Sequence, residues 1–153
     1  DLVMDAVERS SKMAEQRGVR LTAELLDGES ELDAAVAGDP ELLLTMLDNM
    51  IRNAIRFTPP GLRVAVSWSL GLDFVRITVS DEGPAMSPDH VWSAANRFSR
   101  SENPPGSRGH GLGLAIAQGV AELHGGRIHS ENLDGGGGAF TVRLPLAVPE
   151  PAI

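Results

Sequence analysis

Three polar residues, Asn49, Asn53 and Arg56, lie at helical spacing inside a run that predicts a helix from Asp39 to Phe57. At about 100° per residue they share one face, and a stripe of apolar residues runs opposite them. Amide oxygens suit Mg²⁺, which prefers oxygen ligands. A guanidinium binds phosphate oxygens through its fork of N–H groups. The spacing therefore predicts a site for a cation and a phosphate, and the alternative is an ordinary solvated helix face.

A carboxylate and a glycine, Asp81 and Gly83, directly follow the strand predicted over Phe74–Ser80. A carboxylate at a strand end can accept a hydrogen bond from an exocyclic amine such as adenine N6. A glycine lets the backbone approach a flat ring without a Cβ clash. The pair therefore predicts one wall of a ligand pocket, and the alternative is a common Asp-x-Gly turn.

Three glycines, Gly109, Gly111 and Gly113, open the helix predicted over Gly111–His124. Glycines at a helix N-terminus present backbone N–H groups and the positive end of the helix dipole to an anion. The spacing is neither the dinucleotide-binding Gly-x-Gly-x-x-Gly nor a Walker sequence, which needs Gly-Lys-Ser/Thr. The motif predicts an anion site, and the alternative is a flexible, glycine-tolerant helix start.

Length and composition exclude several classes of protein. A chain of 153 residues with 42% apolar residues suits one folded domain. The absence of cysteine removes disulfide scaffolds and thiolate zinc sites. A net charge of −8 argues against nucleic-acid binding and a polybasic membrane anchor. The sequence starts at Asp1 and not at Met, so we expect a longer parent, in which a membrane segment stays open.

The elements that position these motifs follow from periodicity and turn residues. The patterns predict helices over Leu2–Arg17, Asp39–Phe57, Pro88–Ser93 and Gly111–His124, and strands over Val19–Leu26, Leu32–Ala37, Leu62–Leu70, Phe74–Ser80, Arg127–Asn132 and Ala139–Leu146. The apolar positions of the last helix are Leu112, Ile116, Val120 and Leu123. We expect an α+β two-layer sandwich, with three helices covering one face of a mixed, mostly antiparallel sheet. Residues 1–148 form the expected domain and 149–153 a disordered tail.

In this order the motifs resemble those of the ATP-binding catalytic domain of sensor histidine kinases, in the GHKL superfamily. Leu47–Pro59 resembles the asparagine box, Asp81–Gly83 the adenine-binding glycine box, Asn96–Phe98 the phenylalanine box and Gly109–Leu114 the second glycine box. The resemblance covers nearly the whole chain. It implies the Bergerat fold, in which ATP lies between the asparagine helix and a lid over about Asp81–His110.

The resemblance also implies a role for individual residues. Asn53 would ligate Mg²⁺, Asn49 would support the metal or the phosphates, Asp81 would bind the adenine amine and Phe98 would anchor the lid. The expected ATP-binding residues are Asn49, Asn53, Arg56, Asp81, Gly83, Ala85, Phe98, Gly109, His110, Gly111, Leu112, Gly113 and Leu114, of which Asn49, Asn53 and Arg56 are the expected catalytic residues. Three residues depart from the family: Ala85 replaces a glycine, Arg56 a lysine, and His110 a small hydroxyl residue.

The residue one turn before Asn53 separates reaction classes within the superfamily. The related ATPases and serine kinases resemble one another in placing a Glu there as the base, whereas this chain has Asn49. A neutral histidine already carries a free lone pair, so transfer to histidine has less need of such a base. We expect a histidine kinase with little hydrolysis, and the alternatives are a GHKL-type ATPase or serine kinase, or a nucleotide-binding scaffold that has lost activity, which Ala85 would favour.

The resemblance finally implies the partners. The acceptor histidine would lie on a dimerisation domain outside this chain, and a response regulator would receive the phosphoryl group. We expect a cytoplasmic domain that is monomeric alone, in a homodimeric parent that senses at the membrane. In the lid, Arg97, Arg100 or Arg108 would contact the γ-phosphate on closure.

Overall fold

The computed structural model describes residues 2–25, 38–71, 73–83, 110–132 and 137–145, which form three helices and five strands. In chain order these are α1 (Leu2–Gln16), β1 (Arg20–Leu25), α2 (Pro40–Phe57), β2 (Arg63–Leu70), β3 (Phe74–Asp81), α3 (His110–Leu123), β4 (Arg127–Asn132) and β5 (Gly138–Pro145). Each end lies within one residue of the predicted one. The predicted strand Leu32–Ala37, helix Pro88–Ser93 and tail 149–153 lie outside the described residues.

The five strands form one sheet in the order β1-β2-β3-β5-β4. β1 runs parallel to β2, and the other three pairs are antiparallel. Side chains alternate between the faces, so Val75, Ile77 and Val79 are buried while Arg76 between them is exposed. The predicted α+β architecture, with a mixed and mostly antiparallel sheet, is therefore confirmed.

The core lies between the sheet and the helices, and α2 is its central element. This helix packs against α1, α3, β2 and β3. Its largest fully buried side chains are Met46, Leu47, Met50, Ile51 and Ile55. On the sheet, valines, Ile77 and Leu144 complete the apolar layer. Because α2 is held on several sides, side chains along its edge have fixed positions.

The buried face of α3 differs from the predicted one. Leu114, Ala117 and Ala121 are fully buried, whereas Ile116 is 41% exposed and Leu123 is 77% exposed. The apolar pattern assigned the interior to the large aliphatic residues, and for Ile116 and Leu123 that prediction is wrong. Alanines let α3 approach α2 closely, so small side chains occupy the interface and these two larger ones remain outside.

Among the described residues, no helix combines the length and the apolar character needed to cross a membrane. The division at residue 148 falls outside the described ranges and stays a prediction.

Candidate functional site

The asparagine helix α2 is fixed at both ends by side-chain caps. Asp39 Oδ1 accepts a hydrogen bond from the Glu41 N–H at 2.9 Å, and Pro40 occupies the first helical position. At the other end the Thr58 hydroxyl donates to the Ala54 carbonyl at 2.8 Å. These caps set the helix register and thereby fix the direction in which its polar residues point.

Asn53 is the most unusual polar side chain in the described part of the molecule. It is only 3% exposed, and neither its Nδ2 nor its Oδ1 has a hydrogen-bond partner among the described residues. A buried amide without partners costs about 1–3 kcal/mol. Such a group in a native structure calls for an explanation such as a missing ion, water or ligand. The side chain therefore fits an oxygen ligand for a cation or a donor for phosphate.

Asn49 lies one turn earlier on the same face and is only partly buried. Its Nδ2 donates to the Thr45 carbonyl at 2.9 Å, which holds the side chain in place. Its Oδ1 faces α3, where a methyl group added at Gly113 would lie 3.2 Å from that oxygen. The glycine thus permits a close approach between the start of α3 and the asparagine face of α2.

The first turn of α3 brings unpaired backbone donors to the same place. The helix begins at His110, and the first four N–H groups of a helix have no acceptor within it. These groups, with the helix dipole, favour an anion. The structure therefore brings together the asparagine face of α2 and the N-terminus of α3. The sequence had indicated an anion site at each of them separately.

Asp81 closes the opposite end of the site. It is the last residue of β3 and only 9% exposed. The Gly83 N–H donates to its Oδ1 at 2.9 Å. Burial raises the pKa of Asp81 above its ordinary value of 3.8, and backbone hydrogen bonds from Gly83 and Gly138 oppose this rise. An ionised carboxylate here gains from one further donor, such as a ligand amine.

Gly83 joins the Asp81 turn to the end of α2. A methyl group added at Gly83 would lie 2.7 Å from the Phe57 carbonyl oxygen and 3.0 Å from Asp81 Oδ1. Phe57 lies eight residues beyond Asn49, which corresponds to about 12 Å along the helix. The Asp81 turn and the start of α3 therefore contact α2 at points about two helical turns apart, with Asn53 between them.

Arg56 and the remaining predicted residues have weaker structural support. The Arg56 side chain is exposed, and the contact at this residue is made by its carbonyl, which accepts from Arg17 Nη2 at 3.4 Å. Leu114 is fully buried and serves the core of α3. Gly111 lies in the first turn of α3, and the side chains of His110 and Leu112 are not among those described. Ala85, Phe98 and Gly109, together with Arg97, Arg100 and Arg108, lie outside the described residues.

The sequence analysis did not identify three residues whose hydrogen bonds hold the elements around the site. Glu82 Oε1 accepts from the Arg63 N–H at 2.7 Å, and the Glu82 N–H donates to the Arg63 carbonyl at 3.1 Å, which fixes the residue beside Asp81. Gln118 Oε1 accepts from the buried Ile128 N–H at 3.0 Å. The sequence carried no signal for Gln118, because the predicted apolar face of this helix did not include its buried neighbours Ala117 and Ala121.

His124 is the third of these residues, and it links two distant elements. Its Nε2 accepts from the Asp39 N–H at 3.2 Å, and its Nδ1 lies 2.8 Å from the Val120 carbonyl. This pattern requires the neutral tautomer with the proton on Nδ1. The residue therefore ties the C-terminal end of α3 to the N-terminal end of α2, a contact that its helix-end position does not indicate.

Comparisons with known proteins agree with this arrangement. A family model described as "Histidine kinase-, DNA gyrase B-, and HSP90-like ATPase" matches residues 38–148. The sensor protein DivL of Caulobacter vibrioides is 40% identical over 145 residues, which cover 95% of this chain and 18% of DivL. The first eight curated relatives are covered over 14–32% of their length.

Two solved structures that share this fold are more than 25% identical to this chain in sequence. The mycobacterial sensor histidine kinase MprB is 27% identical with a TM-score of 0.73, and the match covers 94% of this chain and 93% of that one. Full-length ShkA in complex with AMPPNP is 26% identical with a TM-score of 0.78, and the match covers 96% of this chain and 30% of that one.

Proposed function

This chain belongs to the histidine kinase-, DNA gyrase B- and HSP90-like ATPase family, and we propose that it delivers the γ-phosphate of Mg-ATP to a histidine on a separate dimerisation domain. It is an ATP-binding domain of the sensor histidine kinase type. The unpaired, buried amide of Asn53, between the Asp81 turn and the first turn of α3, is the observation that carries the proposal.

The residues present fit a magnesium nucleotide. Asn53 Oδ1 would ligate Mg²⁺, which neutralises phosphate charge when bound. Asn49 Oδ1 would hold the metal or its water, and the N–H groups at the start of α3 would bind the phosphates. Asp81 would accept a hydrogen bond from the adenine amine. Arg56, one turn beyond Asn53, would reach the phosphates from the exposed edge of α2.

The positions of the carboxylates favour transfer to histidine over hydrolysis. Asn49 has no basic group at neutral pH. The carboxylate next to it, Asp48, lies towards α1, where its Oδ1 accepts from Ser10 at 3.4 Å and its Oδ2 is 4.0 Å from Arg52. The Glu82 carboxylate accepts a hydrogen bond from the backbone N–H of Arg63, the first residue of β2. None of these side chains is arranged to deprotonate a water or a serine, whereas a neutral histidine has less need of a base.

The proposal extends to the parent protein. Residues 1–148 would form the catalytic domain, the parent would be a homodimeric membrane sensor with this domain in the cytoplasm, and a response regulator would be the next acceptor. An ATPase or serine kinase is the second candidate, and brisk hydrolysis by this chain alone would favour it.

Calorimetry on Asn53→Leu tests the nucleotide site. The substitution replaces an unpaired buried amide with an apolar group of similar size. We expect the free energy of unfolding without nucleotide to rise by about 1 kcal/mol. We expect the affinity for a non-hydrolysable ATP analogue with Mg²⁺ to fall at least tenfold, or about 1.4 kcal/mol. Magnesium should strengthen binding to the wild type but not to the variant.

The matched control is Gln16→Leu, the same change in type on the exposed side of α1. It should change neither quantity by more than about 0.5 kcal/mol. Mg-dependent binding by Asn53→Leu equal to that of the wild type would exclude Asn53 as the metal ligand. Absence of binding by the wild type would instead favour a degenerate scaffold that has lost nucleotide binding as well as activity.

A further inference from the structure

The sheet face opposite the helices has a cross-strand row of three arginines, here called the arginine row. Arg76 of β3 pairs directly with Arg143 of β5, and Arg143 pairs directly with Arg127 of β4. Arg76 and Arg127 are exposed and Arg143 is half-buried. Neighbouring strands lie about 4.8 Å apart, so the row extends over about 10 Å. This is a concentrated positive strip on a chain whose net charge is −8.

The arginine row is costly to the isolated domain. Like charges directly opposite one another in a sheet destabilise it. Within the described residues, neither Arg76 nor Arg127 forms an ion pair with a carboxylate. Arg143 is held over the Phe74 ring, with its Cζ 4.2 Å from the ring centroid. The central guanidinium is therefore oriented by an aromatic ring, and no carboxylate among the described residues pairs with the two outer arginines to relieve the repulsion along the row.

Beside the row the sheet face is open and rich in hydroxyl groups. A cleft of about 610 Å³ lies over β3, β5 and β4, with Arg76 and Arg143 at one end and Glu131 at the other. Its floor includes Thr78 and Thr141, whose hydroxyls lie 3.0 Å apart. Because these side chains are short, another backbone can approach the sheet and meet hydrogen-bonding groups along the whole cleft.

We propose that the arginine row forms a docking surface for an extended acidic segment of a partner protein, which lies along the row, across the strands, and leaves Glu131 at the far end of the cleft outside the contact. Alternate residues of an extended chain lie about 6.7 Å apart on one side. Two carboxylates at that spacing fit within the 10 Å row, each near a guanidinium that can bind it bidentately. A nucleic acid suits the surface less, because three arginines offer few phosphate contacts and the remaining charge of the domain is acidic.

Binding of a short peptide tests this surface. The probe is a fluorescein-labelled octapeptide of alternating Glu and Thr, measured by anisotropy without nucleotide, so the result does not depend on the proposed function. The test variant is Arg76→Thr/Arg127→Thr, which preserves the contact between Arg143 and Phe74. Exposed ion pairs contribute modestly, so we expect the Kd to rise roughly two- to fivefold per arginine removed. Binding to the wild type should weaken as salt rises.

The same variant should be more stable than the wild type. If the arginines had a purely structural role, their removal would instead lower stability. Relief of like-charge repulsion should raise Tm by about 1–4 °C. The control Arg9→Gln/Lys12→Gln removes two exposed positive charges from α1, on the helix side of the sheet, and should leave peptide affinity unchanged.

Four results would overturn the proposal. The first is failure of the wild type to bind the peptide, and the second is a loss of affinity in the control variant equal to that in the test variant. The third is equal affinity of the wild type for a Gln/Thr octapeptide, and the fourth is tighter binding of the wild type to an oligothymidylate of similar length. Concentration-dependent dimerisation that the test variant abolishes would reassign the surface to a second copy of this chain and would also contradict it.

Discussion

Substituting Gly83 with alanine should damage stability and nucleotide binding together. The added methyl group would lie 2.7 Å from the Phe57 carbonyl oxygen and 3.0 Å from Asp81 Oδ1. The first of these atoms is backbone at the end of α2, and the second is the carboxylate expected to bind adenine. Because real Cβ atoms essentially never approach within 3.0 Å, α2 or Asp81 must move by several tenths of an ångström.

The magnitude follows from the atoms that must move. Overpacking a well-packed site costs about 1–3 kcal/mol. Displacement of Asp81 also weakens the 2.9 Å hydrogen bond from the Gly83 N–H, and a bond to a charged group contributes about 1.5–3 kcal/mol. The two costs share one cause, so we expect a total loss of about 2 kcal/mol in the free energy of unfolding. We also expect at least a tenfold rise in the Kd for the ATP analogue.

Urea denaturation and calorimetry measure the two quantities, and Gly119→Ala is the matched control. Gly119 lies within α3, with no atom within 4 Å of an added methyl group. The same change there should stabilise the domain by about 0.8–1 kcal/mol, because alanine favours a helix over glycine. If Gly83→Ala keeps wild-type stability and affinity, the close contact between the Asp81 turn and α2 is wrong.

Two other side chains give predictions with defined directions. Burial raises the pKa of Asp81 in the folded protein, so the unfolded chain releases this proton at a lower pH. The wild type should therefore lose stability relative to Asp81→Asn as the pH rises from about 3.8 through the raised pKa. Urea titrations from pH 3.5 to 7 measure this difference, and a relative gain of the wild type over that window would contradict the assignment. Gln118→Leu leaves the buried Ile128 N–H without its acceptor and should cost about 1–3 kcal/mol in urea denaturation. The exposed Gln16→Leu should cost less than about 0.5 kcal/mol, and equal losses would exclude the proposed tie between α3 and β4.

Local sequence patterns predict the elements of this domain well because their signals are short-range. The Asp39-Pro40 start of α2 is a side-chain cap, and its hydrogen bond is present. The alternation in β3 follows from the pleat of a half-buried strand. The face of α3 was mispredicted because interface geometry, and not residue hydrophobicity, decides whether Leu123 or Ala121 is inside.

The site shows a similar limit. Helical spacing placed Asn53 beside Asn49, but it did not identify Asn53 as buried and unpaired. The position of Met46 held that information, because residues seven apart lie within about 20° on a helix and Met46 is fully buried. The contact between Gly83 and Phe57 and the hydrogen bond between His124 and Asp39 join residues distant in sequence. Such contacts follow from the assembled fold and leave no local pattern.

The two ties on α3 have a mechanical consequence. Gln118 joins the middle of the helix to β4, and His124 joins its C-terminal end to α2. Near its N-terminal end, Gly113 has no side chain and approaches Asn49 closely. Hydrogen bonds from side chains therefore hold the later half of α3, whereas its first two turns are held by the packing of Leu114 and Ala117 in the core. An anion bound at the first turn would therefore contact the part of the helix that precedes both hydrogen-bonded ties.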